Sequence, residues 1–245
     1  ARALAALALA AIAIAPSLDA QRLVRRNPGT SLTWGSAGFS NMQGAITTAF
    51  GGAANITNVA SIANPADLAD ASALFLDLGA LGAGGGMSAA EQAQLLAFIG
   101  SGRRVFFLGE NNGWPGWNNS LLTLFGGTQG ATIQGPISAV GTHPLITGVT
   151  TVTTVGAGPV TGGTALFSPA VGVLFGAQQN LFAFFDYNAF ANANWATTDN
   201  ARFGQNVASW LAAPQNVIPE PSTYVLVATG LAALGVVRRR RTGSR

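Results

Sequence analysis

Ala73-Leu74-Phe75-Leu76-Asp77-Leu78, then Ser88-Ala89-Ala90-Glu91, then Arg104-Val105-Phe106-Phe107-Leu108: the reading of these stretches decides the fold. The first is a continuous apolar run of strand length, the pattern of a strand covered on both faces. The second is a capping box, in which a serine hydroxyl and a glutamate carboxylate satisfy each other's backbone amides at a helix N-terminus. Leu95, Leu96, Phe98 and Ile99 supply the buried face of that helix, and Gly100 and Gly102 end it. The third stretch is another buried strand. Strand, helix and strand in this order predict a parallel crossover.

Working outward, Ser31-Leu32-Thr33-Trp34 reads as a short strand. Met42, Ala45, Ile46, Ala49 and Phe50 recur at helical spacing, so residues 40–50 are expected to form an amphipathic helix stopped by Gly51-Gly52. Residues 55–60 alternate like a strand. Downstream, Asn118 or Asn119 is expected to cap a short helix through Leu121, Leu122, Leu124 and Phe125. Residues 126–171 are rich in Gly and Thr and read as turns with short strands. Residues 171–175 and 181–185 look like a hairpin, and residues 200–211 form a closing helix with Asp199 as its cap. The expected class is a three-layer α/β domain with a mainly parallel sheet over residues 31–212. Residues 21–30 stand before it as an N-terminal segment, and residues 213–218 follow as a linker.

The two ends differ from the body. Arg2 precedes an uninterrupted apolar run over residues 3–15, and Ala20 before Gln21 offers a small residue for cleavage, which outlines a secretory signal peptide over residues 1–20. At the other end stand Pro219-Glu220-Pro221, an uncharged run over residues 224–237, and Arg238 to Arg241. As a helix that run rises roughly 21 Å, short of the roughly 30 Å hydrocarbon core. A transmembrane segment over residues 223–237 becomes workable if Ser222 and Thr223 enter the interface and the arginines snorkel. Clustered arginines stay on the cytoplasmic side, so the body lies on the other.

This arrangement resembles the PEP-CTERM sorting signal of Gram-negative bacteria, with Pro219, Glu220 and Pro221 at the motif and residues 219–245 as the whole signal. The resemblance implies exosortase and the secretion machinery as partners, transient anchoring in the membrane, removal of the helix, and release or surface attachment. It is a signal found in organisms that build extracellular polysaccharide.

The basic pI of 10.6 belongs to these ends. Between Gln21 and Gln215 stand Arg22, Arg25, Arg26, Arg103, Arg104 and Arg202, against Asp67, Asp70, Asp77, Glu91, Glu110, Asp186 and Asp199, a net charge of −1. The electrostatic footprint of a nucleic-acid binder is absent. With no cysteine, the chain has neither disulfides nor a thiol nucleophile.

The body resembles noncatalytic flavodoxin-like domains of the glutamine-amidotransferase superfamily. The likeness rests on residues 71–78 before the capped helix, the glycine-led strand over residues 102–109, His143-Pro144-Leu145-Ile146-Thr147-Gly148-Val149, and Asp199-Asn200 before Asn206-Val207-Ala208-Ser209-Trp210-Leu211. In that superfamily a cysteine nucleophile sits at a Gly-x-Cys-x-Gly turn. The matching stretch here is Gly109-Glu110-Asn111-Asn112-Gly113, which places an amide, Asn111, at that position.

Other chemistry is sparsely supplied. His143 is the sole histidine and has no Gly-x-Ser-x-Gly elbow beside it. One histidine with scattered carboxylates does not suit zinc, so no metal or other cofactor is expected, although oxygen ligands at Asp186 and Asn188 would suit calcium. Two polar loops are the candidate ligand surface. One carries Glu110, Asn111, Asn112, Trp114 and Trp117; the other carries Asp186, Asn188, Trp195 and Asp199. Both are expected at strand carboxyl ends, where open α/β sheets bind ligands. Indole faces with amides and carboxylates suit a polysaccharide. The competing reading makes the tryptophans plugs of the core and the asparagines turn formers. Three functions follow: a noncatalytic envelope or matrix protein that binds polysaccharide, a glycan hydrolase using Glu110 with Asp186 or Asp199, and a structural or adhesion protein with no ligand.

Overall fold

A computed structural model describes residues 21–27, 36–78 and 85–214. The predicted strand at Ser31 to Trp34, the signal peptide and the sorting tail lie outside the described residues. The strands of the main sheet are β1 (Leu23–Arg26), β2 (Ile56–Val59), β3 (Ala73–Leu76) and β4 (Arg104–Leu108), with β7 (Thr164–Ala165), β9 (Gly172–Phe175) and β10 (Leu181–Phe184) toward the far edge. Their order is β2-β1-β3-β4-β10-β9-β7. The first five run parallel, and β9 and β7 complete the sheet antiparallel. A smaller antiparallel sheet has the order β6-β5-β8, from β5 (Ile133–Ala139), β6 (Thr151–Ala157) and β8 (Phe167–Ser168).

The described helices are α1 (Ser40–Ala49), α2 (Ala89–Gly100), α3 (Pro115–Leu122), the short α4 (Asn192–Trp195) and α5 (Asn200–Ala212). The capping box of α2 forms as the sequence predicts: Ser88 Oγ accepts from the Glu91 amide and Glu91 Oε2 accepts from the Ser88 amide at 2.9 Å. It starts the helix that leads back to β4, the parallel neighbour of β3.

The buried strands have no polar face because both sides are covered. On the side of α1 and α5, Phe75, Phe106 and Phe182 stand in register on β3, β4 and β10 and stack at 5.0 and 5.7 Å. Phe203 of α5 meets Phe182 and Phe184 edge-on or tilted. On the opposite side Phe107 stacks on Trp117 of α3 at 4.9 Å. Each fully buried ring contributes roughly 1.5–3 kcal/mol.

Three expectations need correction. The domain begins before residue 31: Leu23–Arg26 is a central strand between β2 and β3, so most of the supposed N-terminal segment belongs to the sheet. Its two arginines point to opposite faces and each meets a buried carboxylate, Arg25 with Asp77 at 2.5 Å and Arg26 with Glu91 at 2.8 Å. Burial pulls the Arg25 guanidinium down, against the pull of Asp77. Neither Asn118 nor Asn119 caps α3, which starts at Pro115, a residue pre-shaped for the first helical turn. Asp199 holds the N-cap position of α5, but its side chain makes no capping bond.

Candidate functional site

Glu110 and Asp186 come together. The parallel register pairs Leu108 with Phe184, and two residues further on each strand stand these two carboxylic acids. The Glu110 side chain is closed in: Oε1 accepts from Asn111 Nδ2 at 2.7 Å, and Oε2 accepts from the Tyr187 amide at 3.1 Å. The Glu110 carbonyl accepts from Asn118 Nδ2 at 2.8 Å and Gln129 Nε2 at 2.6 Å. Gly109 before it permits this closeness, since a Cβ there would stand 2.5 Å from the Phe185 ring. Burial, reinforced by the Asp186 charge, pushes the Glu110 carboxyl up to about 8, although its amide contacts work the other way. Burial likewise raises Asp186 to about 6 despite the Val155 and Asn188 amides.

The second loop is a set of staples along the outer edge of β6. The Val155 amide donates to Asp186 Oδ2 at 2.6 Å, and the Val155 carbonyl accepts from Asn188 Nδ2 at 3.2 Å. Two residues back, the Thr153 amide donates to Asn200 Oδ1 at 2.8 Å and the Thr153 carbonyl accepts from Asn200 Nδ2 at 3.0 Å. Two further back, the Thr151 amide donates to Asp199 Oδ2 at 3.1 Å while its carbonyl accepts from the Asp199 amide. Side chains thus complete the edge ladder of β6, a role that closes the strand to further pairing. This is why Asp199 does not cap α5.

The remaining candidates divide. Trp117 is fully buried and donates its indole N–H to the Leu108 carbonyl at 2.8 Å, so it is a plug of the core. Trp195 is half-buried and lies against Gly204 of α5, where a Cβ would stand 2.5 Å from the indole. Asn111 is half-buried and turns the chain by accepting from the Gly113 amide. Asn112 is exposed, its Oδ1 accepting from Thr132 Oγ1, and Trp114 beside it is half-buried. Their neighbourhood is the outer face of the β4–α3 loop. A small apolar cleft, little larger than a water molecule, is lined by Phe39, Met42, Gln43, Phe75, Phe106, Leu108 and Phe190 on the α1 side. Among the described residues no cluster of three or more His, Cys, Asp or Glu could hold a metal, and no helix is long and apolar enough to cross a membrane.

Sequence reasoning missed Asn118, Asn200 and the two arginines of β1. Asn118 is a cap by its place in the sequence, yet inside α3 it donates to the carbonyls of Glu110 and Asn111 and to Gln129 Oε1. Pro115 was the available signal, since a helix starting there makes residue 118 an interior position.

Residues 217–241 match the family described as the PEP-CTERM protein-sorting motif. The chain therefore carries, at its C-terminus, the signal of an exported protein handled by exosortase. No curated protein matches this chain. Among solved structures, the mmIFT52 N-terminal domain is similar with a TM-score of 0.61 at 13% identity, covering 81% of this chain and 100% of that one. A ThuA-like protein from Bacteroides uniformis ATCC 8492 is similar with a TM-score of 0.46 at 10% identity, covering 80% and 93%. The former shows a shared mixed α/β fold.

Proposed function

We propose that this protein is exported through its N-terminal signal peptide, held briefly in the membrane by residues 223–237, and cleaved by exosortase to leave a noncatalytic envelope or matrix protein. The single observation that carries this reading is the sorting motif over residues 217–241. Intact-mass analysis of the exported protein tests it. A C-terminus between Pro219 and Ser222 is expected, and a retained Arg245 overturns cleavage.

The body reads as a flavodoxin-like domain of the amidotransferase-like superfamily that has lost its nucleophile. In support, the parallel strands run β2-β1-β3-β4-β10, the doubly wound order in which the chain starts in the middle of the sheet and turns round beside β1. Asn111 at the nucleophile position spends both ends of its amide on internal bonds. The hydrolase reading is disfavoured by the same geometry. Glu110 and Asp186 are neighbours but are 1% and 0% exposed, with every carboxylate oxygen engaged, so no water or sugar reaches between them.

Polysaccharide contact is assigned to the outer face of the β4–α3 loop, where Trp114 offers part of its indole beside the exposed amide of Asn112. Trp114→Ala is expected to weaken binding to the polysaccharide of the producing cells by roughly tenfold or more, as loss of an aromatic anchor does. Unchanged retention on those cells leaves the structural or adhesion reading in its place. That reading is favoured by the internal use of Trp117, Asp186, Asn188 and Asp199.

A further inference from the structure

Asn112-Gly113 is the one Asn-Gly step in the chain, and it stands in the loop between β4 and α3. An asparagine side chain is a carboxamide that the backbone nitrogen of the next residue can attack to close a small ring. Glycine is the least hindered attacker, because it has no Cβ and its backbone is free to turn. Here both residues are exposed. They are the central pair of a turn closed by the Trp114 amide donating to the Asn111 carbonyl at 3.1 Å. The Gly113 amide donates to Asn111 Oδ1 at 2.9 Å, and Asn112 Oδ1 accepts from Thr132 Oγ1 at 2.8 Å. The Thr132 hydroxyl therefore sits on the oxygen that takes negative charge as the ring closes. The Asn112 Nδ2 group, which has to leave, makes no bond to a described residue. An exposed turn held by so few bonds opens locally at little cost, which lets Gly113 swing its nitrogen toward Asn112 Cγ.

Other asparagines lack one or another of these conditions. Asn118, Asn180 and Asn200 are buried, and their Nδ2 groups donate to backbone carbonyls. Asn119 is exposed and precedes a small residue, but it lies with Ser120 inside α3, where helical hydrogen bonding holds the backbone nitrogen in place. Asn64 precedes Pro65, which has no N–H to lose.

We propose that Asn112 is a self-modification site, at which the exported protein slowly converts its own neutral loop into an anionic one. The Gly113 nitrogen bonds to Asn112 Cγ, the bond from Cγ to Nδ2 breaks, and the side-chain nitrogen leaves as ammonia with the proton that Gly113 gives up. Water then opens the ring at one of its two carbonyls, giving aspartate or isoaspartate. Nothing is oxidised or reduced, and water is the sole co-reactant. Residues 111–119 carry no charge, so either product places a new negative charge in that stretch, close in sequence to Glu110. Isoaspartate also adds a methylene to the main chain between Asn111 and Trp114, which breaks the turn that positions the indole. The consequence for binding rests on the reading of the Trp114 face as the polysaccharide surface: the Asn112 amide is lost and the indole displaced, so retention on the producing cells declines as the protein ages.

The test ages the full exported protein in mildly alkaline and in mildly acidic buffer and follows every asparagine by peptide mass mapping, with isoaspartate scored by enzymatic methylation. Asn112 is expected to convert before any other asparagine, and faster in the alkaline sample, because the attacking nitrogen must shed its proton. Gly113→Ala is expected to slow conversion about tenfold or more, a barrier rise of about 1.4 kcal/mol. Gly113 is not among the glycines of positive φ, so alanine suits its backbone, and the tip of the Asn111 side chain, 2.9 Å from the new Cβ, is what has to move. The proposal falls if Asn112 stays an amide over the time in which a free peptide of residues 109–115 converts, if another asparagine converts first, or if Gly113→Ala converts at the parent's rate. Retention on the producing cells is then compared for fresh and aged protein. A decline that tracks conversion and is absent in aged Gly113→Ala supports the consequence for binding, and full conversion with unchanged retention overturns it. Trp114→Ala, assayed on fresh protein, tests the surface itself, so its failure is distinguishable from failure of the modification.

Discussion

Arg26→Met destabilises the folded domain by about 3–5 kcal/mol, the range seen when one partner of a buried ion pair is removed. Methionine keeps most of the stem and its packing on Trp117, so the loss is chiefly electrostatic. Glu91 is 4% exposed, and its carboxyl sits at about 2 in the folded protein. Burial works to raise it, but the Arg26 hydrogen bonds, the Ser88 amide and the Arg26 charge together pull it down. Without Arg26 the desolvation penalty stays and its largest compensation goes. The sign of the pH response then turns over. In the parent, the Glu91 contribution is present above pH 4.5 and fades as pH falls toward 2; in the variant, protonating Glu91 relieves a buried charge, and stability rises as pH drops through the ordinary carboxylate range. Glu91→Gln placed on Arg26→Met preserves the capping box and recovers much of the loss. Urea unfolding of the three proteins measures this, as a fall in midpoint at constant slope. A loss under about 1 kcal/mol would place the pair with exposed salt bridges instead.

The Glu110 and Asp186 pair gives the opposite pH dependence, and it dominates above pH 5. Both carboxyls are raised in the fold, Glu110 from 4.5 to about 8 and Asp186 from 3.8 to about 6. The folded state therefore binds their protons more tightly than the unfolded chain. Their contribution is fully present below about pH 4 and is lost as pH rises, first through 6 and then through 8. With Glu91 acting at the acid end, the midpoint of thermal unfolding is expected to peak near pH 4 to 5 and to fall toward pH 8. At its steepest, each carboxyl gives a slope of up to about 1.4 kcal/mol per pH unit. Glu110→Gln removes the portion between pH 6 and 8. A profile that is flat or rising over that interval in the parent would show that Glu110 ionises freely.

These two buried systems mark what was and was not legible. The crossover from β3 through α2 to β4 was readable because its signals are local: an apolar run, a capping box four residues long, and a second apolar run. The hairpin of β9 and β10 and the helices at residues 40 and 200 were readable for the same reason. The role of Arg25 and Arg26 was not, because a pair of arginines four residues into a folded domain looks like any solvated pair until β3 and α2 bring Asp77 and Glu91 against it. The polar loops were located correctly at the strand ends, but their use was hidden. Asp186, Asn188 and Asp199 spend their side chains on the edge of β6, about 30 to 50 residues away in the chain. Asparagine and aspartate bind a backbone edge or a sugar hydroxyl with the same atoms, and composition does not distinguish the two.

By itself the sequence determined the route of this protein and the class of its body. The address is written in contiguous residues at the C-terminus, and the parallel α/β pattern is written in local periodicity and caps. Only the tertiary structure decided which polar groups are spent. Pairing a carboxylate with a guanidinium, or an asparagine with a strand edge, depends on elements that meet only after the chain has closed around its core. That closure commits the second loop to holding β6, through Asp186, Asn188 and Asp199.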